Sequence, residues 1–460
     1  MPAFGKLSKY CSFYYNDKRI VGLNFLHNTS IVLPCEAHTL DGRRDEINKH
    51  IDELHKRGFF APEESRNESD LMANLLENIS KVAGKRKLHF AMMPTFDCNS
   101  RCHYCYESKN SGMTSFWTEA EMDKVIDTVR VVKDSQPNQA LSFAILGGEI
   151  LQTKYWEPLS MLLQKIRSLS GTKNTQLVSN GVEIDELCDG LCQYSDVVKS
   201  IQLTLDGPRE VHDRLRPNCI GKSGFDAIMS TLPKLAKEFV VCLRIHIYEE
   251  NLNSLPTLLE TVARCRSRFP QSIRPYIYPI TVKGADGSCA GLESIRAKEV
   301  ILLKSCLDMI SRVNTGGSME PIEIDFPGSF SLWDIICGKR FKMRRHFCAA
   351  NGNQYVFGPD SRVYKCWWAI GNNDNMVGDL SAGGIDAARD GYWRGRTLEK
   401  LPKCMDCKYA FLCAGGCAYK ASLIHKDIYA PLCPDFDAIA RMLIEYRYHG
   451  EGNVSEMSFN

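Results

Sequence analysis

Apolar residues recur along this chain with two periods, and the switches between them divide it. Between residues 10 and 35 they come in short runs: Phe13-Tyr14-Tyr15, Ile20-Val21-Gly22-Leu23 and Ser30-Ile31-Val32-Leu33. Asn16-Asp17 and His27-Asn28 supply turn chemistry between the runs, so a few small strands are predicted. Asp41-Gly42 ends this pattern. Ile47, Ile51 and Leu54 then share a helical face that Gly58 closes, and Leu71, Leu75, Leu76 and Ile79 form a second one. Gly84-Lys85-Arg86-Lys87 reads as a linker. From Leu88 onward, apolar runs at 88–93, 141–146, 176–179, 200–205, 240–248 and 276–280 alternate with amphipathic stretches that include 119–132, 155–169 and 255–266. Strands alternating with helices predict βα units around a parallel sheet. A bridge at 282–336 contains one predicted helix, about 292–311.

Composition narrows the class. A length of 460 residues suggests about two to four domains. The net charge of +2 favours neither a nucleic-acid surface nor an acidic partner. No run reaches the length of a membrane span, and Met1-Pro2-Ala3-Phe4-Gly5-Lys6 lacks the apolar core of a signal peptide, so a cytoplasmic protein is expected. The basic run 339–346 reads as a solvated helix face that could also attract an acidic peptide.

Twenty cysteines in a chain without a secretory signal favour metal binding or catalysis over disulfides. Cys98, Cys102 and Cys105 form C-x3-C-x2-C. Cys348, Cys366, Cys404, Cys407, Cys413, Cys417 and Cys433 lie together near the C-terminus. The other ten are scattered and read mostly as small buried apolar residues. Three thiolates on one short loop suit an iron–sulfur cluster, which is normally held by four, and leave one iron open for chemistry. The competing reading is zinc: C-x2-C hooks are common in zinc sites, and the C-terminal group alone would also suit a double zinc site.

C-x3-C-x2-C with Tyr104 before its last cysteine resembles the radical S-adenosylmethionine (SAM) family. The stretch Gln202-Leu203-Thr204-Leu205-Asp206-Gly207-Pro208, followed by His212-Asp213 and Arg216, and the C-terminal C-x2-C-x5-C-x3-C resemble members with a SPASM domain that act on peptides and proteins. The resemblance covers about residues 88–440 and implies an α/β fold. Its centre is a partial (β/α)6 TIM-like barrel at 88–281, with a C-terminal SPASM domain at 337–445 and a tail at 446–460. The small α+β segment 1–87 resembles a winged-helix element in which a leader peptide adds a strand to the sheet edge. The alternative for it is a cap that binds nothing.

The resemblance also implies roles for residues at the predicted strand ends. Tyr104, Gly147, Gly148, Glu149, Ser179, Asn180 and Arg244 would contact SAM, and Asp206 would bind substrate or orient its loop. Cys98, Cys102 and Cys105 would hold the SAM-binding [4Fe–4S] cluster. Cys348, Cys366 and Cys417, with Cys337 as a candidate fourth ligand, would hold a first auxiliary [4Fe–4S] cluster, and Cys404, Cys407, Cys413 and Cys433 a second. The chain departs from the family pattern at Ser179 for threonine, His246 for asparagine and Ser361 for glycine. Trp367 stands where sulfatase maturases carry an aspartate base.

The implied function is a maturase of a ribosomally made precursor peptide. It would cleave SAM to a 5′-deoxyadenosyl radical that abstracts hydrogen from the peptide, closing a thioether or another side-chain cross-link. A donor such as flavodoxin or ferredoxin would supply electrons. An anaerobic sulfatase maturase making formylglycine is the alternative within the family. A non-catalytic iron–sulfur carrier or zinc scaffold is the alternative from another class.

Overall fold

A computed structural model describes residues 6–16, 18–35, 39–61, 68–83, 87–102, 104–105, 107, 112–171, 173–279, 302, 304–306, 308–310, 330–448 and 455–457. Most of the helix expected at 292–311 lies outside the described residues. The chain divides into two compact units: Met1–Lys85 with Pro327–Asn351 and Gly395–Asn460, and Arg86–Phe326 with Gly352–Arg394. The region expected as one C-terminal domain is therefore shared between the units.

The larger unit carries a sheet whose middle follows the alternating pattern. Its strands are β4 (Leu88–Met92), β5 (Leu141–Ile145), β6 (Lys173–Ser179), β7 (Val198–Thr204), β8 (Val240–Ile247) and β9 (Ile273–Pro279). They pair in parallel in sequence order. Helices Glu119–Asp134, Trp156–Ser168, Ile184–Cys192, Gly224–Glu238 and Leu255–Arg266 cross over between them. Thr118 opens the first of these with a reciprocal capping box to Glu121. The register splits the sheet into two faces. Phe90, Phe143, Leu177, Ile201, Leu203, Leu243 and Ile245 are all buried. The opposite face aligns Gln176, Gln202, Thr204, Arg244 and Tyr276. A parallel sheet flanked by crossover helices normally buries apolar residues on both faces, so the polar side chains on this second face mark it as a place for binding or chemistry.

The sheet continues beyond β4. β10 (Gln354–Phe357) pairs parallel to β4, and β11 (Arg362–Tyr364), β12 (Met376–Asp379) and β13 (Gly384–Ile385) follow antiparallel. Part of the cysteine-rich region thus extends the barrel sheet. Ser361 adopts φ 58 in the turn between β10 and β11, the left-handed conformation that glycine takes most easily.

The smaller unit holds the second sheet, ordered β14-β1-β2-β3. It comprises β1 (Cys11–Tyr15), β2 (Arg19–Asn24), β3 (Thr29–Pro34) and β14 (Ser455–Met457). The stretch expected as a tail supplies β14, which covers the β1 edge. C-terminal residues pack on this sheet as well. Tyr10 donates to the Met405 carbonyl at 2.7 Å, Tyr14 and Tyr409 share a 2.9 Å hydrogen bond, and Phe25 packs on Tyr409.

Candidate active site

The three-cysteine loop leaves β4 and is tied on two sides. Arg101 N donates to Pro217 O and Cys219 N to Asn99 O, both at 2.7 Å, joining it to the segment after β7. On the other side, Asn180 Nδ2 donates to Asn99 Oδ1 at 2.7 Å and Ser100 Oγ at 2.9 Å, and lies 3.8 Å from Cys98 Sγ. Ser100 N also points at Cys98 Sγ, at 3.4 Å. The Ser100 N–H aimed at this sulfur suits a thiolate better than a thiol.

The β5 end meets the loop backbone to backbone. Gly147 and Gly148 have φ of 101 and 50, and a Cβ on Gly148 would lie 2.1 Å from Asp97 O. Glu149 is buried and accepts from Leu151 N at 2.7 Å, Ser179 Oγ at 2.9 Å and Asn180 N at 2.5 Å. Burial raises its pKa to about 7 against these donors. Glu149 therefore fastens the β6 end to the β5 end. Glu183 does the same one turn on, accepting from Asn99 Nδ2 at 2.7 Å and from Thr153 N and Oγ1 at 2.8 Å. Sequence reasoning did not single out Glu183.

Below the loop lies a buried polar cluster. The Tyr104 hydroxyl donates to Asp206 Oδ2, and Arg216 Nη1 donates to the Tyr104 oxygen. Arg216 Nη1 is 3.3 Å from Asp206 Oδ2. Asp206 Oδ1 accepts from His246 N at 3.2 Å and lies 3.1 Å from His246 Nδ1. His212 Nδ1 accepts from Asp206 N at 3.2 Å, and Asn251 Nδ2 donates to Asp206 O at 2.6 Å and His246 O at 2.8 Å. Asp206 is fully buried. Burial works to raise its pKa, but His246, Arg216 and His212 outweigh that and hold it well below the usual carboxylate range. Burial also lowers His246, while the Arg216 guanidinium beside Asp206 keeps its charge. Cys102 lies within the electrostatic reach of Arg216.

The expected contact residues fall at the ends of β4 to β8. Tyr104, Gly147, Gly148, Glu149, Ser179, Asn180 and Asp206 surround one loop. Arg244 lies two residues before His246, on the polar face of β8. Arg216, His212 and Asn251 complete the arrangement; the first two stood in the quoted Asp-Gly-Pro…His-Asp…Arg stretch, while nothing local marked Asn251.

Burial pushes the Cys98 thiol up to about 12 and also raises Cys102. Buried thiols of this kind ionise readily only when a metal supplies positive charge. Among the described residues no three His, Cys, Asp or Glu side chains converge on a single metal ion. A cubane cluster distributes its thiolates over several irons, so the donor set fits a cluster. In the smaller unit, Cys404, Cys407, Cys413 and Cys433 lie within electrostatic reach of one another, and Cys348 lies near Cys417. Cys366 follows β11 in the larger unit. Cys337 ends the helix Phe330–Ile336 and interacts with Arg447. None of the described cysteines forms a disulfide.

Comparison with known proteins agrees with this geometry. Residues 92–262 match the model of the radical SAM superfamily. A cysteine-type anaerobic sulfatase-maturating enzyme of Clostridium perfringens is 23% identical over 358 residues, 70% of this chain and 85% of that protein. A serine-type anaerobic sulfatase-maturating enzyme of Bacteroides thetaiotaomicron is 29% identical over 154 residues, 31% of this chain and 35% of that protein. Among solved structures, anSMEcpe with bound AdoMet superposes with a TM-score of 0.55 at 18% identity, covering 79% of this chain and 93% of its own. Streptococcus suis SuiB bound to precursor peptide SuiA gives 0.51 at 15% identity, covering 92% and 98%. With the three-cysteine loop at the end of the first barrel strand, the stretch 92–262 that matches the radical SAM superfamily model carries the barrel strands β5 to β8 and the ends that surround the loop.

Proposed function

We propose that this protein is a radical SAM maturase acting on a ribosomally made precursor peptide. The observation that carries the reading is the outer strand of the N-terminal sheet, β3, which among the described residues pairs with β2 alone. β14 covers β1, and Ser30, Ile31 and Val32 of β3 line a cleft with Arg57, Ile336, Cys337, Gly338, Arg447 and Tyr448. Such an edge suits an extended peptide added as a strand. The SuiB structure with its precursor peptide superposes on 92% of this chain and the anSMEcpe structure on 79%.

A [4Fe–4S] cluster with SAM supplies one-electron chemistry that yields a carbon radical, and two auxiliary clusters supply electron sinks. Cys98, Cys102 and Cys105 are the residues to hold the first. The protein's own work is positioning. Asn180 and Glu183 fix the loop through Asn99, and Tyr104, clamped between Asp206 and Arg216, fixes it from below. Of the two roles open to Asp206, its full burial and engaged oxygens support orienting the loop. The glycines at the β5 end let the backbone reach the loop. The polar face with Gln202, Arg244 and Tyr276 is where a peptide would lie, and Tyr276 Oη already donates to Gln202 Oε1 at 2.6 Å.

Sulfatase maturation is the second reading, favoured by the names of the curated relatives. Anaerobic reaction with SAM, a reductant and a precursor peptide encoded beside this protein separates the two. Loss of two hydrogens from that peptide is the expected result. Oxidation of a sulfatase-derived cysteine or serine peptide, with the precursor unchanged, would overturn the first reading for the second.

A further inference from the structure

We infer that Arg396 is the buried counter-cation of both auxiliary cluster sites and sets their reduction potentials. The inference rests on the reading of the C-terminal cysteines as iron–sulfur ligands. The Arg396 side chain is fully buried. Its Nη1 donates to Gly416 O at 3.0 Å, and its Nη2 donates to Gly415 O at 2.8 Å and Ala430 O at 3.4 Å. Its Nε donates to Ile428 O. All four acceptors are neutral carbonyls. A fully buried charge is normally paired. The side chains that act most on the guanidinium are Cys404, Cys417, Cys348 and Cys413, whose sulfurs would be anionic as cluster ligands. Two of these belong to each expected auxiliary cluster.

The loop joining the two ligand sets is built on this guanidinium. Ala414, Gly415 and Gly416 are consecutive residues with positive φ, at 48, 81 and 73. They lie between Cys413 and Cys417 and turn two carbonyls onto Arg396. A Cβ on Gly415 would meet Leu401 at 2.2 Å, and one on Gly416 would meet Leu432 O at 2.2 Å. The segment thus requires glycines, and the arginine requires the segment. Reducing a cluster adds negative charge. A cation in low dielectric favours that state, and arginine holds its charge at every working pH.

The test uses the full chain with Cys98, Cys102 and Cys105 changed to Ala, so that only the C-terminal clusters contribute, followed by redox titration with paramagnetic resonance. Arg396→Gln in that background is expected to weaken the reduction equilibrium at least tenfold, 59 mV for one electron, with Arg396→Lys much closer to the parent. Full iron in Arg396→Gln with unchanged potentials overturns the inference. If Arg396→Gln takes up no iron, Arg396→Lys decides. Full iron there supports a need for charge. No iron there shows that the planar fork and its carbonyl bonds are what matter, and overturns it. A parent without iron would instead refute the ligand reading itself, and this inference with it.

Discussion

At the scale of single residues, the decisive feature is that Asp206 and Arg216, beneath the three-cysteine loop, are buried and used on one another. Removing one partner of a buried, hydrogen-bonded ion pair costs about 3–5 kcal/mol because the other is stranded. Arg216→Met should therefore cut SAM cleavage by about 100-fold or more, while Tyr104→Phe, which leaves the Asp206–Arg216 pair, should do less. Measuring 5′-deoxyadenosine release by both variants checks this, and equal losses would argue against the pair as the anchor. His212 gives a pH signature. Burial lowers its pKa from 6.5 to about 4 in the folded chain. Between those values the unfolded chain takes up a proton that the folded chain refuses. Stability is therefore lost as pH falls from about 6.5 to 4, by on the order of 3 kcal/mol. Glu149, raised to about 7 from 4.5, works the other way, gaining stability as pH falls through the same region. The readout is thus the difference between wild type and His212→Gln in denaturant midpoint at pH 7 and pH 5. His212→Gln should lose less stability on acidification than wild type, and identical slopes would refute the assignment.

At the scale of elements, the strand ends were legible because each joins a β-period to chemistry. The predicted 255–266 helix is the observed one, and the cluster loop, Gly147-Gly148-Glu149, Ser179-Asn180 and Asp206 all follow parallel strands. What Glu149 and Asp206 bond to was not legible, since their partners Asn180, Arg216 and His246 are 31, 10 and 40 residues away. Neither was the start of β6 at Lys173, where Lys-Asn-Thr lacks strand-like hydrophobicity and pairing with β5 decides. The β3 edge yields a prediction of its own. Arg57 Nη1 donates to Ser30 O at 2.6 Å, so Ser30, Val32 and Pro34 present their backbone away from β2. Val32→Pro removes an outward N–H without touching the β2 ladder. Precursor binding, followed by fluorescence anisotropy of a labelled leader, should weaken about tenfold or more, the value of one hydrogen bond and its neighbours. SAM cleavage without peptide should stay at the wild-type rate. Unchanged affinity would place the leader elsewhere.

At the scale of the molecule, the chain's order in sequence and its order in space part company. Alternating periods gave the barrel but not that residues 354–385 extend its sheet, because β10 to β13 are two to four residues long and carry little period. Nor could periodicity show that Ser455–Met457 reaches back to β1, since strand pairing over such a distance leaves no local mark. Cysteine spacing survives this rearrangement because ligands are set by chemistry rather than by neighbours in sequence. That makes iron the measure of the whole assembly. A protein with three [4Fe–4S] clusters holds about twelve irons and about twelve acid-labile sulfides. Replacing Cys98, Cys102 and Cys105 should remove about four of each, abolish SAM cleavage and leave the remaining absorbance in place. Replacing Cys404, Cys407, Cys413 and Cys433 should likewise remove about four, while SAM cleavage continues and peptide modification stops. The two losses should add, because the cysteine sets share no ligand. Zinc in place of iron would refute the cluster assignment for both sets. Loss of all iron from either substitution would show that the clusters assemble as one unit.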